Sequence, residues 1–302
     1  MTHVGFVGLG RIGLPMARRL ASFGHQLVCF DIDSSALAAA ADSGLRCGSS
    51  LADLAAESWA VCTCLPSPAA VAAVVAGPGG LVESAKAGTL LIDFSTNDPE
   101  VVGDLARLAA DRALRFLDSP VAGGVPAARV GELTVMVGAE ESAFVRAEPL
   151  LRGVGSHVFH LGEPGAGTVA KLANNMLAFC NLAAAAEAFM SVKRWGLDID
   201  QFLEVLEHGS GASAALDRYR RKVLVRDFDA EFTVDLARKD AALAIALGDE
   251  HGIPMRFASL ANSMLVRASE LGYGQLDLAA VVRALEHDVG EEISGMSGAG
   301  HV

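Results

Sequence analysis

The sequence predicts a doubly wound α/β domain over residues 1–163, followed by an all-α domain over residues 164–302. In the first half, short apolar runs alternate with helical stretches, an order typical of a sheet covered by helices on both faces. Beyond about Gly162 the strand signals stop and helical periodicity continues. The turn Gly162-Glu163-Pro164-Gly165 separates the two regions, as glycine and proline clusters commonly do.

Strands are predicted where apolar residues follow one another without alternation, which favours a buried, mainly parallel sheet. These segments are 3–7, 26–31, 59–65, 89–94, 115–118, 133–137 and 157–161. Helices are predicted between the early strands at 14–23, 34–43, 69–76 and 99–111. In the second half they are predicted at 168–195, 200–208, 212–225, 234–251 and 255–271, before a mobile glycine-rich tail over 294–302.

Composition restricts the class of protein. The 302 residues are 52% hydrophobic and 20% charged, enough apolar material for a buried core. A net charge of -12 opposes binding to nucleic acid or to an anionic membrane surface. No stretch reaches about 18 uninterrupted apolar residues, the length that crosses a bilayer. The five cysteines and eight histidines lack metal-ligand spacing, and the chain opens directly on a strand. We expect a cytoplasmic protein without a metal.

A glycine turn follows the first strand. Gly8, Gly10 and Gly13 have the G-x-G-x-x-G spacing of a Rossmann-type dinucleotide site, in which a helix N-terminus faces the pyrophosphate. The predicted cofactor contacts here are Gly8, Leu9, Gly10, Arg11, Ile12 and Gly13. Asp31 ends the second strand, where a carboxylate accepts hydrogen bonds from ribose hydroxyls and repels a 2′-phosphate. The sequence therefore predicts NAD in preference to NADP; an ordinary strand-turn-helix with a surface aspartate is the alternative.

Four further segments, together with the glycine turn, resemble the β-hydroxyacid dehydrogenase family. This family includes 3-hydroxyisobutyrate dehydrogenase and tartronate semialdehyde reductase, and its NAD-binding domain is similar to that of 6-phosphogluconate dehydrogenase. The segments occur in family order and span nearly the whole chain: Cys64-Leu-Pro-Ser67, Asp118-Ser-Pro-Val-Ala-Gly-Gly124, Gly165-Ala-Gly-Thr-Val-Ala-Lys-Leu-Ala-Asn-Asn175 and Phe232 through Asp240.

The resemblance implies roles for residues in these segments. The catalytic lysine and its partner asparagine of the family fall on Lys171 and Asn175, four apart on one helix face, with Asn174 beside them as a substrate contact. Without the resemblance, Lys171 could equally extend to solvent while the asparagines bond neighbouring backbone. Further cofactor contacts are implied at Leu65, Pro66, Thr96 and Lys239. Plain loop positions for Pro66 and Thr96, and a surface ion pair for Lys239, remain alternatives.

The loop Ala122-Gly123-Gly124 is the predicted cradle for the substrate carboxylate, because small residues expose backbone N–H groups. The family usually has serine where this chain has Ala122, so one hydrogen bond to the carboxylate is missing. Either the substrate differs, or Ser119, Ser210 or Ser213 compensates.

The predicted function is hydride transfer between NAD and a small 3-hydroxy acid or its semialdehyde, with Lys171 as proton donor and acceptor. An imine reductase on the same scaffold is one alternative, favoured by Ala122 and opposed by Lys171. A non-catalytic dinucleotide-binding module is the other, opposed by Lys171 and Asn175 together. As in its relatives, we expect a homodimer or homotetramer.

Overall fold

The computed structural model describes residues 3–295 and divides the chain into two compact units. Unit 1 extends to Lys171 and unit 2 starts at Leu172, so the division falls within one long helix. The sequence boundary at 163/164 marks a different feature, the end of the last strand. Of the predicted tail, Ser294 and Gly295 are described, and the Gly295 N–H donates to the Leu224 carbonyl. Residues 296–302 lie outside the described part.

Unit 1 is built on a sheet that has nine strands within the described residues. They are β1 (His3–Val7), β2 (Gln26–Phe30), β3 (Arg46–Cys47), β4 (Ser58–Thr63), β5 (Leu90–Asp93), β6 (Arg115–Asp118), β7 (Val121–Ala122), β8 (Thr134–Gly138) and β9 (His157–Gly162). The order is β3-β2-β1-β4-β5-β6-β8-β7, with β9 also paired to β8. From β3 to β6 every pairing is parallel, whereas β8 runs antiparallel to β6 and β7.

The helices of unit 1 cover both faces of this sheet. They are α1 (Gly13–Ser22), α2 (Ser34–Asp42), α3 (Leu51–Glu57), α4 (Pro68–Ala76), α5 (Leu81–Ser84), α6 (Pro99–Asp111), α7 (Gly124–Val130) and α8 (Glu141–Val154). One face packs β-strand residues such as Phe6 and Ile92 against α1 and α8. The other packs Val61 and Leu91 against α3, α4 and α6. The doubly wound sheet predicted from the sequence is confirmed.

Several elements of unit 1 were not predicted. The helices α3, α5, α7 and α8 and the two-residue strands β3 and β7 have signals that are short or interrupted. Helix α8, for example, contains Pro149. Strand β7 corrects the first residue of the loop predicted at Ala122–Gly124, because Val121 and Ala122 pair with Val135 and Thr134 of β8. Such short pairings depend on a distant partner strand.

Within its described residues, unit 2 consists of helices joined by turns and irregular segments, and a single β-bridge joins Thr233 to Asp277. Helix α9 (Ala166–Arg194) enters it from unit 1 and is followed by α10 (Ile199–His208), α11 (Ala215–Arg218), α12 (Val234–Glu250), α13 (Arg256–Ala268) and α14 (Val282–Val289). The helices predicted at 212–225 and 255–271 each end in a π-helical turn, Tyr219–Val223 and Ser269–Tyr273. The core of unit 2 surrounds Phe189 and Tyr219, whose rings stack with centroids 4.5 Å apart.

Helix α9 is also, among the residues described, the single helix long and apolar enough to cross a membrane by length and composition alone. A helix from a protein core satisfies the same criterion. The helix carries Lys171, Asn174, Asn175 and Glu187 along its length, and Phe179, Leu182, Ala186 and Phe189 contribute to the core of unit 2.

Candidate functional site

The glycine turn joins β1 to α1, and the structure separates the roles of its three glycines. Gly8 has a φ of +93°, and a Cβ there would lie 2.3 Å from the Cys64 carbonyl oxygen. A Cβ on Gly13 would lie 2.0 Å from the Gly8 carbonyl oxygen. Gly10 differs, because its Cβ would meet nothing within 4 Å among the described residues other than its chain neighbours. The fold itself therefore requires Gly8 and Gly13, whereas the open side of Gly10 leaves room for a phosphate.

Asp31 follows β2 and is bonded to this turn. Its Oδ2 accepts the Leu9 N–H at 2.6 Å, and its Oδ1 accepts the Asp33 N–H at 2.9 Å. A carboxylate has about four acceptor positions, so two remain for ligand hydroxyls. Ile32 beside it is 96% exposed. Asp31 thus orders the glycine turn, a role the sequence did not indicate, and keeps acceptor capacity for a ribose.

Behind the loops after β4 and β5 lies a buried polar network that the sequence analysis missed. Asp93 accepts hydrogen bonds from Thr63 Oγ1 at 2.8 Å and Asn97 Nδ2 at 3.0 Å. It also accepts from Ser95 Oγ at 2.5 Å, and Ser95 Oγ in turn accepts the Leu65 N–H at 2.9 Å. Burial raises the pKa of Asp93, although its hydrogen bonds with Ser95, Thr63 and Asn97 oppose that shift.

This network fixes the backbone of the loops that carry Leu65, Pro66 and Thr96. These three predicted cofactor contacts come together at the carboxyl edge of the parallel strands, with Leu65 and Thr96 partly buried and Pro66 exposed. An acid at the end of the otherwise apolar strand β5, followed by Ser95 and Asn97, was the signal that could have revealed the network.

The predicted carboxylate cradle begins in β7 and ends in α7. Gly123 and Gly124 both have positive φ, +121° and +69°, which a side chain would oppose. Ala122 is partly buried and offers only a methyl group.

Ser119 is one of the three serines predicted as possible replacements for the missing hydroxyl. Its side chain is fully buried, and its Oγ has no hydrogen-bond partner among the described residues. Ser213 is partly buried and Ser210 exposed; both belong to unit 2.

Lys171 lies in the second turn of α9, and only about 9% of its surface is exposed. The helix starts against β6, where the Asp118 carboxylate accepts the N–H groups of Gly165 and Thr168 at 2.7 and 2.6 Å. Burial raises the pKa of Asp118, and these two backbone donors oppose the shift. The lysine is therefore a nearly buried side chain on a helix whose first turn is firmly held.

Asn175, one helical turn after Lys171, is also buried. Its Nδ2 donates to Asp240 Oδ2 at 2.7 Å, and its Oδ1 accepts from Asn174 Nδ2 at 3.2 Å. Lys239 Nζ lies 2.7 Å from Asp240 Oδ1, and Asp240 is 1% exposed. The ion pair of Lys239 is thus made with a buried carboxylate. Asp240 fixes the amide of Asn175 with the carbonyl oxygen directed away from it.

Taken by unit, the predicted residues form two groups. Unit 1 holds the glycine turn, Asp31, the loops of Leu65 and Thr96, the Ala122–Gly124 segment and Lys171. Unit 2 holds Asn174, Asn175 and Lys239. No group of three or more His, Cys, Asp or Glu residues suited to a metal ion occurs within residues 3–295.

A dinucleotide turn followed by a helix with a nearly buried lysine and asparagine defines a class, the nicotinamide-dependent oxidoreductases with a Rossmann domain. Residues 3–162 match the family model described as the NAD binding domain of 6-phosphogluconate dehydrogenase. Residues 165–285 match that described as the NAD-binding domain of NADP-dependent 3-hydroxyisobutyrate dehydrogenase. The chain belongs to the 3-hydroxyisobutyrate dehydrogenase family of NAD(P)-dependent β-hydroxyacid dehydrogenases.

Relatives match over nearly their full length. The chain is 34% identical to 2-(hydroxymethyl)glutarate dehydrogenase of Eubacterium barkeri, covering 97% of each chain. It is 35% identical to the mitochondrial 3-hydroxyisobutyrate dehydrogenase of Homo sapiens, covering 95% of this chain and 88% of the relative. The crystal structure of 3-hydroxyisobutyrate dehydrogenase from Salmonella typhimurium superimposes with a TM-score of 0.85 at 31% identity, covering 94% of this chain and 99% of that one.

Two other solved structures bear on the alternatives. Psf3, in complex with NADP+ and 2-OPP, has a TM-score of 0.86 at 25% identity, covering 93% of this chain and 99% of that one. The imine reductase from Pseudomonas sp. has a TM-score of 0.59 at 18% identity, with coverages of 94% and 99%. The second likeness shows a shared fold alone. Because Psf3 is in complex with NADP+, the comparisons do not distinguish NAD from NADP, and the preference has to be argued from the residues of this chain.

Proposed function

We propose that this protein is an NAD-dependent 3-hydroxyacid dehydrogenase that interconverts a small 3-hydroxy acid and its semialdehyde. The observation that supports it most is the pair Lys171 and Asn175, both nearly buried and one turn apart on α9. Lysine and asparagine side chains are seldom this deeply buried in a folded protein. Their residue types suit proton transfer and the orientation of a hydroxyl group.

The cofactor fits the residues of unit 1. The open side of Gly10 suits a pyrophosphate at the start of α1, and the remaining acceptor positions of Asp31 suit two ribose hydroxyls. Leu65, Pro66 and Thr96 would line the nicotinamide end. When bound, the oxidised nicotinamide supplies the acceptor for the hydride that leaves the substrate carbon.

A side chain of the protein transfers the proton. As the C–H bond electrons leave and the C=O bond forms, the hydroxyl O–H bond breaks and its proton passes to the neutral amine of Lys171. In the reverse direction the Lys171 ammonium donates that proton to the carbonyl oxygen. Asn175 would hold the hydroxyl through its Oδ1, because its Nδ2 is already engaged with Asp240. Asn174 lies beside it.

The substrate carboxylate would be bound by the backbone N–H groups of the Ala122–Gly124 segment. Ala122 lacks the hydroxyl that the family usually places there. The absent charge-assisted hydrogen bond weakens carboxylate binding by about 1.5–3 kcal/mol. We therefore expect high KM values for the smallest 3-hydroxy acids. A larger substrate would offset the loss through contacts elsewhere and would have a lower KM.

The test uses purified wild type, Lys171→Ala and a matched control, Lys193→Ala, which changes the same residue type near the other end of α9. Each is assayed with NAD and NADP against a panel of 3-hydroxy acids and a panel of cyclic imines. We expect hydroxyacid oxidation by wild type and control, and a loss of about 10²–10⁴-fold in Lys171→Ala, the range for general acid–base catalysis. Full activity of Lys171→Ala would overturn the mechanism. Turnover of imines alone would favour an imine reductase, and cofactor binding without any turnover a non-catalytic module.

The preference for NAD is proposed from Asp31, whose carboxylate would repel a 2′-phosphate, with no basic residue in Ile32–Ser35 to attract one. The ratio of kcat/KM with NAD to that with NADP should exceed one and should fall in Asp31→Ser. Preference for NADP in the wild type would contradict the argument. Because Asp31 also accepts the Leu9 N–H, the Kd for NADH is measured in parallel to detect a disturbed turn.

We also propose that the protein acts in the cytoplasm as a homodimer or homotetramer. Unit 2 exposes several large apolar side chains, among them Leu177, Trp195, Phe257 and Leu260, and apolar surface of this kind suits burial between subunits. Sedimentation equilibrium tests this proposal, and a monomer at micromolar concentration would refute it.

A further inference from the structure

The start of helix α9 lacks a capping side chain of its own. The residue that precedes it is Gly165, and the helix begins at Ala166. At a helix start the preceding side chain normally accepts the N–H of the third residue, which here is Thr168. Asp118, at the end of β6 and 50 residues earlier in the chain, accepts that N–H at 2.6 Å. Its other oxygen accepts the Gly165 N–H at 2.7 Å.

The surrounding backbone leaves this first turn little freedom. A Cβ on Gly167 would lie 2.3 Å from the Met136 carbonyl oxygen and 2.9 Å from that of Asp118. A Cβ on Gly138 would lie 2.4 Å from Asp118 Oδ1 and 2.9 Å from the Ala166 nitrogen. The helix start is therefore pressed against β6 and β8, and the Asp118 side chain is fully buried between them.

Lys171 follows Thr168 by three residues in the same helix, all within unit 1. A helix transmits a displacement of its first turn to the next one, because each N–H is bonded four residues back. The two hydrogen bonds of Asp118 thus fix the position of the Lys171 backbone, from which its side chain extends. Two charge-assisted hydrogen bonds to one carboxylate also fix the orientation of the helix better than a single hydrogen bond to a neutral capping side chain.

We propose that Asp118 is a positioning residue for catalysis, which holds the first turn of α9 so that Lys171 reaches the substrate oxygen. This inference rests on the proposed function, since it assumes that Lys171 transfers the proton. It differs from a purely stabilising cap in what it predicts. A cap that only stabilises the fold changes the number of folded molecules, whereas a positioning residue changes the rate at each intact site.

The test compares Asp118→Asn and Asp118→Ala with the wild type. Asparagine retains one acceptor oxygen but places an N–H₂ group opposite the second backbone donor, and alanine removes both acceptors. The control is Asp198→Ala, because Asp198 caps α10 by accepting the Gln201 N–H at 2.8 Å and lies outside the proposed site. For each protein, NADH titration counts the binding sites, and kcat is expressed per bound NADH.

We expect kcat per site to fall about tenfold in Asp118→Asn and about a hundredfold in Asp118→Ala, the scale for a misplacement of about 1 Å. The Kd for NADH should stay within about threefold of the wild type, and the primary deuterium isotope effect on kcat should rise as the chemical step becomes limiting. Asp198→Ala should keep the wild-type kcat.

An unchanged kcat per site in both Asp118 variants would overturn the inference, and so would a loss of NADH binding in both, which would make Asp118 a residue required for folding. Lys171→Ala, assayed alongside, separates this failure from that of the proposed function. If Lys171→Ala is inactive while the Asp118 variants are normal, only the inference fails; if Lys171→Ala is fully active, the proposed proton-transfer role of Lys171 fails.

Discussion

Alanine at two glycines of the same turn should have opposite consequences. Apart from its chain neighbours, no described residue has an atom within 4 Å of the position that a Cβ on Gly10 would take, and the φ of Gly10 is not in the left-handed region. Gly13 would bring a Cβ within 2.0 Å of the Gly8 carbonyl oxygen, a backbone atom that cannot rotate away. The two substitutions are chemically identical and only three residues apart. Comparing them therefore separates a glycine that the fold needs, Gly13, from a glycine that cofactor binding needs, Gly10.

The expected magnitudes follow from these distances. Gly10→Ala restricts the unfolded chain without strain in the folded one, so it should raise the free energy of unfolding by about 0.4–1 kcal/mol. Its methyl group occupies the proposed phosphate position, and loss of one charged hydrogen bond there costs about 1.5–3 kcal/mol of binding, roughly ten- to a hundredfold in Kd. Gly13→Ala forces the helix away from the strand and should lower the free energy of unfolding by about 1–3 kcal/mol.

Urea unfolding followed by circular dichroism gives the stability, and quenching of intrinsic fluorescence by NADH gives the Kd. Gly10→Ala should be at least as stable as the wild type and bind NADH weakly. A wild-type Kd for NADH in Gly10→Ala would refute the phosphate position beside Gly10, and unfolding of Gly13→Ala at the wild-type urea concentration would refute the requirement of the fold for Gly13.

Two further predictions concern the carboxylate cradle and the buried network. Ala122→Ser restores the hydroxyl that relatives carry and should lower KM for small 3-hydroxy acids about tenfold or more, measured by initial rates; an unchanged KM would indicate that the carboxylate binds elsewhere. Because burial raises the pKa of Asp93, its contribution to stability is complete below the unfolded value of about 3.9 and is lost as pH rises through the folded value. The free energy of unfolding of wild type minus that of Asp93→Asn should therefore fall in urea titrations as pH rises above about 4, and a rising difference would contradict the assignment.

Much of the fold could be predicted because its signals are local. Strand β1, helix α6 and strand β6 have the predicted bounds, since consecutive apolar residues or a proline start define them without reference to the rest of the chain. The glycine turn is equally local. The helix α8 and the strand β7 were missed because their stability comes from packing and pairing with segments distant in sequence.

The candidate site likewise has residues that the sequence predicted and contacts that only the structure shows. Lys171 and Asn175 were predicted together because helical spacing places residues four apart on one face. Ser119 was considered as a replacement for the missing serine, but only the structure shows that its side chain is buried. The role of Asp31 in holding Leu9 was likewise absent from the sequence, since it depends on two loops meeting.

The sequence by itself determined the family, the Rossmann unit with its helical continuation, and the lysine proposed to transfer the proton. Periodicity, glycine spacing and motif order are properties of neighbouring residues. The tertiary structure alone decided what the buried carboxylates do: Asp93 holds the loop of Leu65, Asp118 the start of α9, and Asp240 the amide of Asn175. Each carboxylate has at least one donor in a segment distant in sequence, and the role of a buried acid is visible only when those donors are in place.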